Sequence, residues 1–360
     1  MPEILDFEEP IAALLKELDL LTAQPRTDSS ARSIAALNKR INDMRAEIYR
    51  SLTAWQRVQV ARHSGRPGLE AFLARLFPNF VEIHGDRRFA DDHAIITGFA
   101  EYRGQQVLVV GHVKGGGDTK EKIFRNFGYA RPEGYRKALR AMRMAEKFRR
   151  PVVVFVDTPA AYPGVESEER GVAEAIAVNL RDMMLLDTPI VIIVSGEGGS
   201  GGALGIAVGD AVLMQEHAIY SVIPPEGCAA ILWRDSSKKV EAAEALKLTA
   251  PDLLKAGIID RVIPEPVGGA HADPDATIAF LDGVLDEVLR EVSALDAEVR
   301  LARRYDKFRN MGRMGIDFVD EALARSLAEL TALTSDARLE ARYEKFRHMG
   351  RLGIDFTDGE

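Results

Sequence analysis

Seven glycines fall within the sixteen residues SGEGGSGGALGIAVGD, Ser195 to Asp210, directly after the apolar run Ile190-Val-Ile-Ile-Val194. Glycine lets a chain turn from strand into helix with its N–H groups uncovered, so two or three amides can converge on an oxygen that gains negative charge. Each donor of such an oxyanion hole is worth about 2.7–4 kcal/mol of transition-state stabilisation, so the site needs no conventional nucleophile. Two other motifs fit the same residues. Gly196-Glu-Gly198-Gly-Ser-Gly201 satisfies the dinucleotide pattern G-x-G-x-x-G with Glu216 as the ribose acid, but the helix that follows would be short and holds Gly205. Gly198-Gly-Ser200-Gly-Gly202 satisfies the nucleophile-elbow pattern G-x-S-x-G, making Ser200 a serine-hydrolase nucleophile with Asp260 and His271 as its best downstream partners. No Gly-Lys-Ser/Thr follows, which excludes a P-loop. Close helix–sheet packing is expected to account for only one or two of the seven glycines.

A second turn, Asp157-Thr-Pro-Ala-Ala-Tyr-Pro-Gly164, follows the apolar run Val152–Val156. Both turns then lie at the same end of successive parallel strands, where ligands of open α/β sheets bind. With a basic segment upstream and no evident triad, they point to a site that takes an anionic, thioester-like substrate and stabilises an enolate.

The elements that position these turns follow from periodicity. Ile95–Tyr102 and Gln106–His112 flank Arg103-Gly104 and predict a hairpin; Val152–Val156, Ile190–Val194 and Ala211–Met214 predict buried strands. Tyr135, Ala138, Leu139, Met142 and Ala145 form one helix face, and Ala173, Ile176, Ala177, Leu180 and Met184 another. Alternating strands and helices predict an α/β core with a largely parallel sheet. Before it, Ile11, Leu14, Leu15, Leu18 and Leu21, then Ile34, Leu37, Ile41, Met44 and Ile48, predict a helical hairpin. After it, RYDKFRNMGRMGIDF from Arg304 to Phe318 returns as RYEKFRHMGRLGIDF from Arg342 to Phe356, 38 residues on, a duplicated amphipathic segment for docking or packing. The expected regions are 1–65 (helical), 66–295 (the α/β domain) and 296–360 (helical tail).

Composition narrows the function classes. The chain has 360 residues, 46% hydrophobic and 28% charged, with a formal net charge of −8. Thr119 to Arg150 nevertheless holds eleven basic against three acidic residues, a local +8. That segment is either an anion-attracting patch or a solvated helix face. The strongly acidic remainder and the lack of a recognised motif argue against nucleic acid. The single cysteine, Cys228, allows no intramolecular disulfide, and no His/Cys cluster has metal-ligand spacing. No apolar run is long enough for a membrane span and no signal peptide is evident, so a cytoplasmic location is expected.

Five runs carry a resemblance: DTKEKIFRNFGYARPEGYRKALR (Asp118–Arg140), DTPAAYPGVESEERG (Asp157–Gly171), GEGGSGGAL (Gly196–Leu204), PPEGCAAILW (Pro224–Trp233) and LTAPDLLKAGIIDRVIPEPVGGAH (Leu248–His271). In this order they resemble the alpha subunits of bacterial acetyl-coenzyme A carboxylase carboxyltransferase, over roughly residues 1 to 318. The resemblance implies a crotonase-like (ClpP/crotonase) fold of repeated ββα units. It also implies an α2β2 assembly with a zinc-ribbon beta subunit, which supplies the metal site this chain lacks. The reaction implied moves a carboxyl group from carboxybiotin, on a biotin carboxyl carrier protein served by biotin carboxylase, to acetyl-CoA, giving malonyl-CoA for fatty-acid synthesis. No covalently bound cofactor is implied here. Matching the motifs places the oxyanion donors at the amides of Gly201, Gly202 and Ala203, beside Gly198 and Gly199, with Ala160, Ala161 and Gly164 lining the facing turn. Arg136 and Lys137 are candidates for anion contacts. Departures from the family pattern are Ala160 where glycine is usual, which strains the turn if its φ is positive; one extra residue in His112–Asp118; Pro224 in place of serine; and a second C-terminal copy beyond the usual end.

Overall fold

The computed structural model describes residues 4–23, 27–116, 118–312 and 327–348. Its centre is explained by two-residue alternation in aliphatic runs. In β4 (Val152–Thr158) and β5 (Ile190–Gly199), Val152, Val154, Ile190 and Ile192 face one core while Val153, Phe155, Val191 and Ile193 face the other. A strand buried on both faces requires a sheet covered on both sides.

The strands are β1 (Val81–Glu82), β2 (Ile95–Tyr102), β3 (Gln105–His112), β4, β5, β6 (Ala211–Gln215), β7 (Ile219–Ser221) and β8 (Arg261–Ile263). They are ordered β1-β2-β3-β4-β5-β6-β8, with β7 alongside the far end of β5. β1 to β3 pair antiparallel, and every pair from β3 onward is parallel. Arg103 and Gly104, with φ of 49° and 79°, close the β2–β3 hairpin at the expected place.

One face of the sheet is covered by α6 (Pro132–Lys147), α8 (Val172–Met183), the short α9 (Ser200–Leu204) and α12 (Ala250–Lys255); α4 (Leu69–Leu76) and α13 (Pro274–Ser293) cover the other. All five residues of the anticipated α6 face are buried. In α8 the buried stripe is instead Val172, Ala175, Asn179 and Met183, one position round from the apolar face expected. Asn179 explains the rotation: its side-chain amide donates to the carbonyls of Tyr135 and Gly205, at 2.9 and 2.8 Å, and so belongs inside.

The N-terminal hairpin forms as expected from α1 (Glu9–Thr22) and α2 (Asp28–Arg50), closing over Ile11, Leu14, Leu37 and Ile41. Its expected boundary near residue 65 is not a structural one, because α3 (Ala54–Arg62) packs Ala54, Val58 and Ala61 against Ile219, Ala243 and Leu248. Met1–Arg309 form one compact unit and Asn310–Glu360 a second. The division falls inside the anticipated tail, since α14 (Ala297–Asn310) buries Arg300 and Arg304 in the first unit. The second unit includes the helix Ser335–His348; parts of both repeat copies, 313–318 and 349–356, lie outside the described residues.

Candidate active site

The glycine-rich stretch begins inside a strand. β5 pairs with β4 up to Val156–Val194, then slips so that Thr158 opposes Gly198, leaving Ser195 to Glu197 as an irregularity in the ladder. Such a slip re-aims side chains. Here it turns Asp157 and Glu197 toward each other, with the Glu197 N–H donating to Asp157 Oδ1 at 2.8 Å and Lys114 Nζ reaching both carboxylates at 2.7 and 2.8 Å. Beyond the slip, β5 pairs with β7 through Glu197, Gly198 and Gly199. Gly198 and Gly199 are therefore ladder residues.

At Ser200 the chain takes φ of +48° and enters α9, with Gly199 as an N-cap that has no side chain to offer. The N–H groups in the first turn of a helix have no acceptor within it. Gly201 and Gly202 occupy that turn, and Ala203, wholly buried, is the first residue in register to donate to Gly199. A Cβ on Gly199 would lie 1.8 Å from the Pro159 carbonyl oxygen, and one on Gly202 2.4 Å from the Ala160 carbonyl carbon and the Ala161 nitrogen. The two strand-end turns thus meet backbone to backbone, bringing Gly199 and Gly202 against Pro159, Ala160 and Ala161, with Gly201 between them in the chain but not against that turn. The facing turn is held by Thr158 Oγ1, which donates to the carbonyls of Gly128 and Ala160, and by the Tyr162 N–H on the Ala130 carbonyl. Ala160 keeps a negative φ, so its methyl group carries no backbone strain. Gly164 begins the next short helix, α7 (Val165–Glu169).

Packing explains more of the glycine content than the sequence reading allowed. Six of the seven glycines, all but Gly201, would place a Cβ under 3.0 Å from another atom, and none has positive φ. The expectation of one or two was wrong, because the sequence does not reveal that two turns interlock.

Arg136 and Lys137 do not serve as anion contacts. Lys137 is fully buried, with its ammonium on Asp91 Oδ1 at 2.6 Å and the Asp92 carbonyl at 2.7 Å. Arg136 is tied to Asp86, Glu133 and the Arg170 carbonyl. At Arg136 and Lys137 the basic segment is neutralised by Asp86 and Asp91 of the acidic loop before β2, and these two basic residues are neither ligand contacts nor a solvated face; Lys120, Lys147 and Arg149 remain exposed. Burial would raise Asp91, but the Lys137 ammonium and the Gly85 N–H hold it well below the ordinary carboxylate range.

A cavity of about 270 Å³ adjoins the turns through Pro159 and Glu197, at the C-terminal ends of β3, β4 and β5. His112 and Lys114 line it, with Arg62, Arg66 and Lys122. His112 is buried with both ring nitrogens unpartnered, and burial together with the Lys114 charge pushes it down to about 3, so it is neutral. Burial would raise Glu197, yet Lys114 and Arg62 hold it below its ordinary value, ionised between two cations. Sequence reasoning missed this cluster. Its one available signal was a His-x-Lys at the end of a predicted strand; the partners Arg62 and Glu197 lie 135 residues apart.

Neither competing motif is assembled. Asp260 accepts from the Val212 N–H and from Lys307 at the entry ends of β6 and β8, the opposite end of the parallel strands from Ser200. His271 stacks on His63 with ring centroids 3.8 Å apart, so no Ser200–His271–Asp260 relay exists. The Glu216 carboxylate accepts the Glu265 N–H instead of facing a ribose. Among the described residues, no three His, Cys, Asp or Glu side chains are grouped to hold a metal, and no helix is long and apolar enough to cross a membrane.

A largely parallel sheet ending in two interlocked turns, one opening a helix with uncapped amides, is the crotonase-type fold. In solved structures the same fold occurs in a Pseudomonas malonate decarboxylase hetero-dimer (TM-score 0.53, 16% identity, 74% of this chain and 98% of that one). It occurs again in a transcarboxylase 12S core (TM-score 0.50, 21% identity), 62% of this chain matching 41% of that one, so this chain spans about two-fifths of the transcarboxylase polypeptide. The family model described as acetyl co-enzyme A carboxylase carboxyltransferase-like matches residues 4–312, and the chain belongs to that family. Relatives named acetyl-coenzyme A carboxylase carboxyl transferase subunit alpha include one from Geobacter metallireducens, 53% identical over 310 residues (86% of this chain, 97% of the relative). Another, from Geobacter sulfurreducens, is 56% identical over 275 residues (76% and 86%). The enzyme class is therefore carboxyltransferase, and the serine hydrolase is not favoured.

Proposed function

We propose that the chain is the biotin-side half of a split carboxyltransferase centre, transferring the carboxyl group of carboxybiotin to acetyl-CoA to form malonyl-CoA. The observation that carries this reading is the interlocked pair of turns, in which the uncapped start of α9 lies against Pro159–Ala161; the reading makes Gly201 and Gly202 the donors. Ala203 supports the turn from inside the helix. In the reaction, the N–C bond of carboxybiotin breaks to release carbon dioxide, and its electron pair passes into the ureido group, whose oxygen becomes anionic against these amides. That ureido base takes a proton from the acetyl methyl group, and the thioester enolate carbon attacks carbon dioxide to form the new C–C bond. Neutral biotin leaves. Because the substrate supplies the base, the protein contributes preorganised dipoles, stronger toward the transient oxyanion than toward the ground state. Substrate approaches along the cavity lined by His112 and Lys114.

Completion of the site falls to a beta subunit carrying a zinc ribbon and most of the coenzyme A contacts, in an α2β2 assembly served by biotin carboxyl carrier protein and biotin carboxylase in the cytoplasm. The test is reconstitution with free carboxybiotin or carboxylated biotin carboxyl carrier protein as the carboxyl donor. Malonyl-CoA is expected only when chain and beta subunit are combined; turnover by this chain alone overturns the split site. Ser200→Ala should retain most activity and a serine-reactive phosphonate should leave the protein unlabelled, whereas a hydrolase would fail both.

A further inference from the structure

The duplicated C-terminal segment has a structural counterpart. In the first copy, the Arg304 guanidinium is completely buried and donates to both Asp210 carboxylate oxygens and to the carbonyls of Met183, Leu186 and Thr188, all at 2.8–2.9 Å. Two of those carbonyls lie at and just beyond the C-terminal end of α8, where the helix leaves acceptors free and its dipole is negative. Lys307 adds contacts to the Asp210 carbonyl and to Asp260, each at 2.9 Å, and Phe308 packs on the core. This socket fits a rigid, five-donor cation better than an ammonium.

Thirty-eight residues on, Arg342, Lys345 and Phe346 occupy the positions of Arg304, Lys307 and Phe308, and Arg338 that of Arg300. The likeness extends back beyond the motif: Leu289 and Val292, buried in α13, correspond to Leu327 and Leu330. In the second copy these apolar positions are unburied, Leu327 being 62% and Leu330 50% exposed, and Arg342 and Lys345 are exposed too. The second copy therefore keeps the docking side chains of the first without the burial that would otherwise require them.

We infer that the second copy is an alternative occupant of the Asp210 socket, exchanging with the first copy of the same chain. Exchange lengthens the connection from Ser293 to the docking arginine from 11 to 49 residues. Loop-closure entropy then favours the first register by roughly tenfold when the contacts are alike. A tethered copy acts at about millimolar effective concentration, so a copy from another chain at micromolar concentration competes poorly.

The experiment is denaturant unfolding of the full chain carrying R304A, R342A or both. R342A is expected to change little and R304A to lower the folding constant about tenfold, the preference of the first register. The double variant should lower it by about a hundredfold or more, because the buried Asp210 carboxylate then has no guanidinium to pair with. Equal losses for R304A and the double variant would overturn the exchange. Independently, D260C with K345C, in the R304A chain, should oxidise to a disulfide within one chain, with D260C/K307C in the otherwise unaltered chain as the control for reach. Absence of that disulfide, or its formation only between chains, would also overturn the proposal.

Discussion

Gly201 and Gly202 are neighbours with opposite tolerance. Only Ile176 Cδ1, at 3.6 Å, lies near a Cβ built on Gly201, while a Cβ on Gly202 would drive the facing turn apart. Gly201→Ala is expected to keep carboxyl transfer within a few-fold, and Gly202→Ala to lower kcat by about a hundredfold, the usual loss for one oxyanion donor. Steady-state malonyl-CoA formation with the beta subunit, beside a thermal melt of each variant, checks both. His112 gives a pH prediction. Folding pushes it to about 3 from an ordinary value of 6.5, so between these limits the unfolded chain holds the extra proton. Its contribution is intact above pH 6.5 and stability falls as the pH drops, by up to about 1.4 kcal/mol per unit. Asp92, pushed up to about 6 by burial, acts in the opposite sense from 3.8 to 6. The difference between wild type and His112→Leu in urea titrations from pH 7 to 4 isolates the histidine: the variant should show the shallower acid loss.

At the scale of elements, the anticipated strands are observed because each is an aliphatic run bounded by turn residues, a local property. α8 shows the limit, since its apolar face was legible but the buried one was chosen by a polar side chain with two backbone acceptors on other elements. α6 shows another. Arg136 and Lys137 looked available because their acidic partners, Asp86 and Asp91, belong to a loop some forty to fifty residues earlier. Lys137→Met should therefore destabilise the protein by about 3–5 kcal/mol, as removal of one partner from a buried pair does. The KM for acetyl-CoA in the fraction that remains folded should be unchanged; a raised KM at unaltered stability would restore the ligand-binding role.

For the whole molecule, the first copy of the repeat clamps the entry ends of the strands through Asp210, while the two turns occupy the exit ends. Asp210→Ala removes the acceptor that either copy of the repeat needs and also the carboxylate that receives the Ile190 N–H, so it should cost about 3–5 kcal/mol by calorimetry. The sequence by itself determined the strands, the helical hairpin, the glycine turn, the duplication and the family, because periodicity, turn chemistry and long ordered motifs are written locally. Tertiary structure alone decided which glycines were needed for close approach, that Gly198 and Gly199 are spent in the sheet, and that Arg136 and Lys137 face carboxylates. It also assembled His112, Lys114 and Glu197 into one cavity. The physical reason is common to all four: backbone contact, charge pairing and burial depend on groups scores of residues apart, whose distance no local pattern encodes.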